Sequence, residues 1–198
     1  MKKIVAMLLL SVMLFQFISC ADSKIKVEKG SVENGIYRNY SVGLEFAIPK
    51  DMELATEKEI INIFSSCSDI KDLTDDRSSQ YVDLYALTVS GDKVVNISIS
   101  YVGSYEKAMS IIEAELSSLG ESYKDGRMYS VQCSDVHDFE FAGVMYRSAT
   151  LAISAFGEMY IYQRVVSRYH NGCIISVVMV ARSEETVGNL ASAFKKPQ

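Results

Sequence analysis

The stretch from Met128 to Arg182 constrains the fold most. Five segments rich in β-branched and aromatic residues follow one another there: about Met128 to Cys133, Phe139 to Ala142, Met145 to Ser154, Met159 to Tyr169 and Cys173 to Arg182. Turn residues separate them at Gly143, at Phe156-Gly157 and at Asn171-Gly172. Asn-Gly is a strong hairpin cue, because both positions tolerate positive φ. Strands joined so briefly pair antiparallel.

The first half adds shorter strands and the helices. Ile36 to Asn39 and Leu44 to Pro49 form a strand pair about Ser41-Val42-Gly43, with Leu44, Phe46 and Ile48 alternating against Glu45 and Ala47. Thr56 and Glu59 make a capping box that opens a helix through Ile60, Ile61, Ile63 and Phe64, ending near Cys67. Tyr81 to Val89 and Lys93 to Tyr101 read as a hairpin about Ser90-Gly91-Asp92. Ser104 caps a helix whose Ala108, Met109, Ile112, Leu116 and Leu119 form one stripe, stopped by Gly120. Ser183 caps a closing helix with Val187, Leu190, Ala191 and Phe194 on one face. The expected class is α+β: an antiparallel β-sheet with helices packed on it.

This order, together with the phrase Gly35-Ile36-Tyr37-Arg38-Asn39 and Gly43-Leu44-Glu45-Phe46-Ala47-Ile48-Pro49, is similar to the PsbP-like fold. That fold is an α/β/α sandwich shared by the photosystem II extrinsic protein and bacterial lipoproteins of the DcrB type. The resemblance spans roughly residues 34 to 196. It implies a non-enzymatic binding, assembly or adaptor module, and no functional residue of the family maps onto this chain.

The N-terminus reads as an address. Met1-Lys2-Lys3 precedes an apolar run from Ile4 to Ile18 broken by Ser11 and Gln16, the layout of a secretory signal and too short to span a bilayer. Phe17-Ile18-Ser19-Cys20 resembles the lipobox of bacterial lipoproteins, with Phe17 where the family usually has Leu. The resemblance implies cleavage before Cys20 and acylation of its sulfur. Residues 1–19 are then the signal peptide, 20–34 a lipidated cysteine and flexible tether, and 35–198 one α+β domain. Extended, such a tether reaches roughly 45 Å. The domain is expected outside the cytoplasm, on the cell membrane or outer membrane.

The chain carries 20 Lys and Arg against 25 Asp and Glu, and losing Lys2 and Lys3 with the signal makes the balance −7. An acidic domain has no electrostatic reason to meet nucleic acid or anionic headgroups. Anchoring then falls to the acyl chains at Cys20, and the expected partner is a protein of the cell envelope. Cys67, Cys133 and Cys173 follow Cys20. A Cys133–Cys173 bridge requires neighbouring strands; otherwise all three serve as small apolar residues.

Candidate sites are few. Asp135, His137, Asp138 and Glu140 mix histidine with acids, but in an extended segment they alternate between faces, so no metal is expected. Asp69, Asp72, Asp75 and Asp76 lack the alternate spacing and central glycine of a calcium loop. Cys173 lies close to His170, though across a tight turn. No serine elbow, phosphate loop or dinucleotide fingerprint is present, so neither catalytic residues nor a cofactor is expected. Tyr160, Tyr162, Arg164 and Arg168 fall on one strand face, and aromatic and arginine side chains are what binding hot spots use. They are the candidate partner surface. The leading expectation is a non-catalytic binding or adaptor lipoprotein; the alternative is a small-molecule or metal-binding lipoprotein serving an envelope transporter.

Overall fold

The structure, a computed structural model, describes residues 27–64, 80–121, 129–155 and 158–198. Cys20, Cys67 and the four aspartates from Asp69 to Asp76 lie outside the described residues.

The large sheet is wholly antiparallel. Its spatial order is β4 (Met52–Leu54), β5 (Gln80–Thr88), β6 (Val94–Tyr101), β11 (Cys173–Ala181), β10 (Glu158–His170), β9 (Val144–Ala155) and β7 (Tyr129–Cys133). An eighth strand, β8 (His137–Phe141), pairs with the first half of β9, while β7 pairs with the second half. Strand β11 is central and buried along all nine residues, which is why its sequence is apolar except at Ser176, whose hydroxyl pairs with that of Ser167 at 2.9 Å. Its hairpin with β10 turns at Asn171 and Gly172, both at positive φ as that dipeptide predicts.

A second sheet holds β1 (Ser31–Glu33), β2 (Ile36–Asn39), β3 (Leu44–Ala47) and β12 (Phe194–Lys195). The sequence reading expected one sheet, and the two short outer strands explain the difference. Three exposed residues of β1 and two of β12 have no periodicity of their own, and their pairing to β2 and β3 defines them. Phe194, expected on the last helix, belongs instead to β12, facing Phe46 across the ladder.

Three helices complete the layers. Helix α1 (Glu57–Phe64) opens with the expected capping box: Thr56 N donates to Glu59 Oε2 at 2.8 Å, and Glu59 N to Thr56 Oγ1 at 3.3 Å. Helix α2 (Tyr105–Ser117) is capped by Ser104, and α3 (Glu184–Ser192) by Ser183. One face of the large sheet carries Val165, Ile174, Val178 and Val180 and is covered by Ile60 of α1 and Ala108, Ile112 and Leu116 of α2. The other face carries Ile97, Ile175 and Val177 and meets Tyr37, Leu44 and Phe46 of the small sheet and Val187 and Leu190 of α3. The molecule is therefore three-layered, with helices on one side and a sheet-plus-helix layer on the other.

Residues 27 to 34, read from sequence as part of a tether, pack on the domain. Val27 is 4% exposed, and Tyr81 Oη donates to its carbonyl at 3.3 Å. Gly30 N donates to Asp83 Oδ1 at 2.8 Å, and a side chain at Gly30 would collide with the Tyr37 ring. The stretch is polar, but its backbone finds partners that composition does not reveal.

Candidate functional site

The sequence groups Tyr160, Tyr162, Arg164 and Arg168 on one strand face as a candidate partner surface, and the structure gives them different surroundings. All four lie in β10, whose face of Tyr162, Arg164, Val166 and Arg168 turns toward the small sheet and α3. The side chain of Tyr160 is outside the described residues. Tyr162 is 8% exposed and belongs to the core. Arg168 is half-buried, donates from Nη2 to the carbonyl of Val42 at 2.5 Å, and stands 5.1 Å from the Tyr146 ring centroid. It ties the two sheets together. The large-sheet face is covered here because the β2–β3 turn folds over it, a contact 126 residues apart in sequence.

Arg164 differs. Its guanidinium lies 4.3 Å from the Phe139 ring centroid. Nε is buried with no hydrogen-bond partner, and among the described residues no carboxylate pairs with the group. The side chain borders an open cleft of about 590 Å³ between the β8–β9 hairpin and the C-terminal end of α3. Phe139, Phe141 and Phe194 supply aromatic surface, Gly188 and Ala191 an open helix face, and Lys195 and Lys196 further positive charge, with Glu140 at the rim.

Local sequence explains this construction. Phe194 stacks on Phe46 at 4.3 Å between centroids and lies 4.8 Å from Phe141, which meets Tyr146 edge-on at 5.2 Å. The aromatic chain joins small sheet to hairpin and fixes the cleft floor. The hairpin turns at Ala142 and Gly143, and Ala142 holds φ 51°. An alanine in the left-handed region costs roughly 1–2 kcal/mol. Lys195 is engaged by Glu45 at 3.0 Å, where Arg38 Nε also donates at 2.7 Å. Lys195 and Arg38 together hold the Glu45 carboxyl below the usual range.

A half-buried guanidinium on an aromatic face with unspent N–H donors suits a carboxylate or phosphate, and the phenylalanines suit an apolar group beside it. The hydroxyl nearest to hand, that of Ser192, donates to the Gly188 carbonyl within its own helix.

The other sequence candidates resolve separately. His137 is exposed with Nδ1 2.9 Å from the Asp135 carbonyl, and Asp138 accepts from Arg147 Nη1 at 2.7 Å. Among the described residues, no three His, Cys, Asp or Glu side chains converge on a point. His170 Nε2 lies 3.0 Å from the Ser41 carbonyl, while Cys173 is buried and burial pushes its thiol up to about 11. Cys133 and Cys173 do not bridge: β9 and β10 lie between their strands.

No family model and no curated protein sequence matches the chain. Solved structures do resemble it. Cyanobacterial PsbP (CyanoP) from Synechocystis sp. PCC 6803 matches at TM-score 0.48 and 11% identity, covering 91% of this chain and 99% of its own. LpqN of Mycobacterium tuberculosis, described as involved in cell envelope biogenesis, matches at TM-score 0.42 and 14% identity over 78% of this chain and 83% of its own. The extracellular domain of PknH from the same organism matches at TM-score 0.38 and 10% identity over 56% and 59%. At such identities and scores the likenesses assign this chain no function.

Proposed function

We propose that this chain is an extracytoplasmic lipoprotein, acylated at Cys20, whose non-catalytic domain binds an envelope protein through the cleft at Arg164. The observation that carries the binding role is the unpartnered guanidinium of Arg164 on Phe139, facing an aromatic trough. The partner group it suits is a carboxylate next to an apolar or aromatic side chain. Support for the anchor comes from the basic head, apolar run and Phe17-Ile18-Ser19-Cys20. Among the described residues, no helix is long and apolar enough to cross a membrane. A single acyl chain anchors weakly, whereas the two or three that a lipoprotein cysteine carries hold firmly.

Two measurements test this reading. Mass spectrometry of the mature N-terminus should find an acylated Cys20; a chain still starting at Met1 would refute the anchor. A photo-reactive residue placed at Ser192 should cross-link in intact envelopes to a discrete partner, and Arg164→Glu should abolish that product. Persistence of the product in Arg164→Glu would remove the cleft from the proposal. A second reading, a small-molecule site, is favoured by the cleft volume, which lies in the range of ligand pockets. A thermal-shift panel of aryl and alkyl carboxylates separates the two. A true ligand should raise the melting temperature, and Arg164→Ala should weaken its affinity about ten- to hundredfold, the loss expected for one charge-assisted hydrogen-bonding group.

A further inference from the structure

The first described residue, Val27, enters at one end of the large sheet. Tyr81, whose hydroxyl meets the Val27 carbonyl, opposes Ile99 near the end of β6, and Glu28 N donates to Ser41 Oγ in the β2–β3 turn. The same end holds the β10–β11 turn at Asn171-Gly172, since Cys173 opposes Tyr101. It also holds the start of α2, because Val102 and Gly103 both donate to the Gly172 carbonyl at 2.9 Å. The tip of the β8–β9 hairpin belongs here too, beyond the Arg147–Ser167 pair.

Three large apolar or aromatic side chains stand open on this end: Tyr40 at 71% exposure, Tyr105 at 56% and Met145 at 58%. They are held on firm supports. Tyr105 packs edge-on against Tyr169 at 5.6 Å, Tyr169 Oη donates to the Gly103 carbonyl at 2.9 Å, and His170 and Arg168 grip the carbonyls of Ser41 and Val42 beside Tyr40. The opposite end exposes Val89, at 87%, in the β5–β6 turn.

Chain length decides which end meets the lipid. From Cys20 to Val27 is seven Cα steps, at most roughly 25 Å when fully extended. Strand β5, nine residues or about 30 Å, separates the Tyr81 end from Val89. An anchor at Cys20 therefore keeps the tyrosine end near the bilayer and is too short to present the Val89 end.

We propose that the end bearing Tyr40, Tyr105 and Met145 rests in the headgroup layer of the membrane. This proposal depends on acylation of Cys20 as proposed above. The occupant it fits is a lipid–water boundary, where an amphipathic aromatic ring keeps its hydroxyl wet and its body in apolar surroundings. The contact is apolar, since the chain carries 25 Asp and Glu against 20 Lys and Arg and so has no net attraction to anionic headgroups. The short linker turns a lipid anchor into an orienting one, leaving the Val89 end farthest from the lipid.

The chain contains no tryptophan, so single Tyr40→Trp, Tyr105→Trp and Val89→Trp variants each carry one reporter. The test uses full-length, processed protein in zwitterionic phosphatidylcholine vesicles with bromine on the upper acyl chain, Cys20 acylation being verified by mass spectrometry in each sample. Trp at 40 and 105 should lose emission and shift to the blue, and Trp at 89 should do neither. Acylated protein without quenching at 40 and 105, or with equal quenching at 89, overturns the orientation while leaving the anchor standing. A Cys20 without acyl chains overturns both.

Discussion

Asp83 sits at a bulge in β5 and is met by three donors: Gly30 N, Tyr37 Oη and Asn39 Nδ2. Asn39 also donates to the Glu28 carbonyl and accepts from Val42 N, so one buried carboxylate organises the N-terminal segment and the β2–β3 turn. Burial and the adjacent Asp83 carboxylate raise the Tyr37 phenol well above its ordinary pKa. Asp83→Ala leaves those donors unmet and should cost about 3–5 kcal/mol, read as a lower urea midpoint. Glu115 poses the opposite problem. It is half-buried on α2, and burial pushes its carboxyl up to about 8. The folded chain therefore keeps a proton that the unfolded chain releases near pH 4.3, so stability declines as pH rises from about 4 to about 8. Glu115→Gln should flatten that slope and raise stability at pH 8–9 by roughly 1–3 kcal/mol, the full shift being discounted for partial solvation. Thermal melts across the pH range check it; a melting temperature at pH 9 unchanged by the substitution would refute it. Neither residue was legible in sequence. Asp83 reads there as an ordinary strand acid, and its role arises from segments more than forty residues away.

At the scale of elements, long periodic segments were readable and short ones were not. Strands β6, β9, β10 and β11 and helices α2 and α3 lie within two or three residues of where alternation and caps put them, because each carries enough residues to display its period. Strand β8 begins at His137, two residues earlier than expected, since Asp138 is held in the ladder by Arg147 rather than by any strand preference. Strands β1, β4 and β12 owe their existence to partners. Phe194 shows the consequence: its place beside Phe46 and Phe141 closes the cleft floor. Phe194→Ala should cost roughly 3–5 kcal/mol and release the strand from β3. Hydrogen exchange would then show the Lys195 and Ala47 amides, the latter donating to the Ala193 carbonyl, losing protection before those of β11. The candidate surface was half legible for a related reason. Alternation on β10 correctly grouped Tyr162, Arg164 and Arg168 on one face, but could not show that the small sheet covers two of them and leaves Arg164 at an opening.

At the scale of the whole molecule, the two cysteines among the described residues lie in contrasting settings. Cys133 is exposed on β7, while Cys173 is buried at the start of the central strand with its thiol raised by burial. Native alkylation followed by peptide mapping should therefore modify Cys133 and spare Cys173, and Cys173 should react only as the protein unfolds globally. A Cys133–Cys173 linked peptide from non-reducing digestion would contradict the topology.

The margins of the large sheet have a bearing on crowding. One is β4, three residues long; the other is divided, with β7 and β8 set end to end along β9. Ser134 fills the break by bonding both ways with Thr150: its amide donates to the carbonyl at 3.0 Å, and its hydroxyl accepts from the amide at 2.9 Å. Among the described residues, neither side offers a long, flat row of open amides to a neighbouring copy, because the part of β5 beyond β4 is broken by its bulge at Asp83. Copies confined side by side in two dimensions would find no template for strand exchange, and so could be held at high density without zipping together.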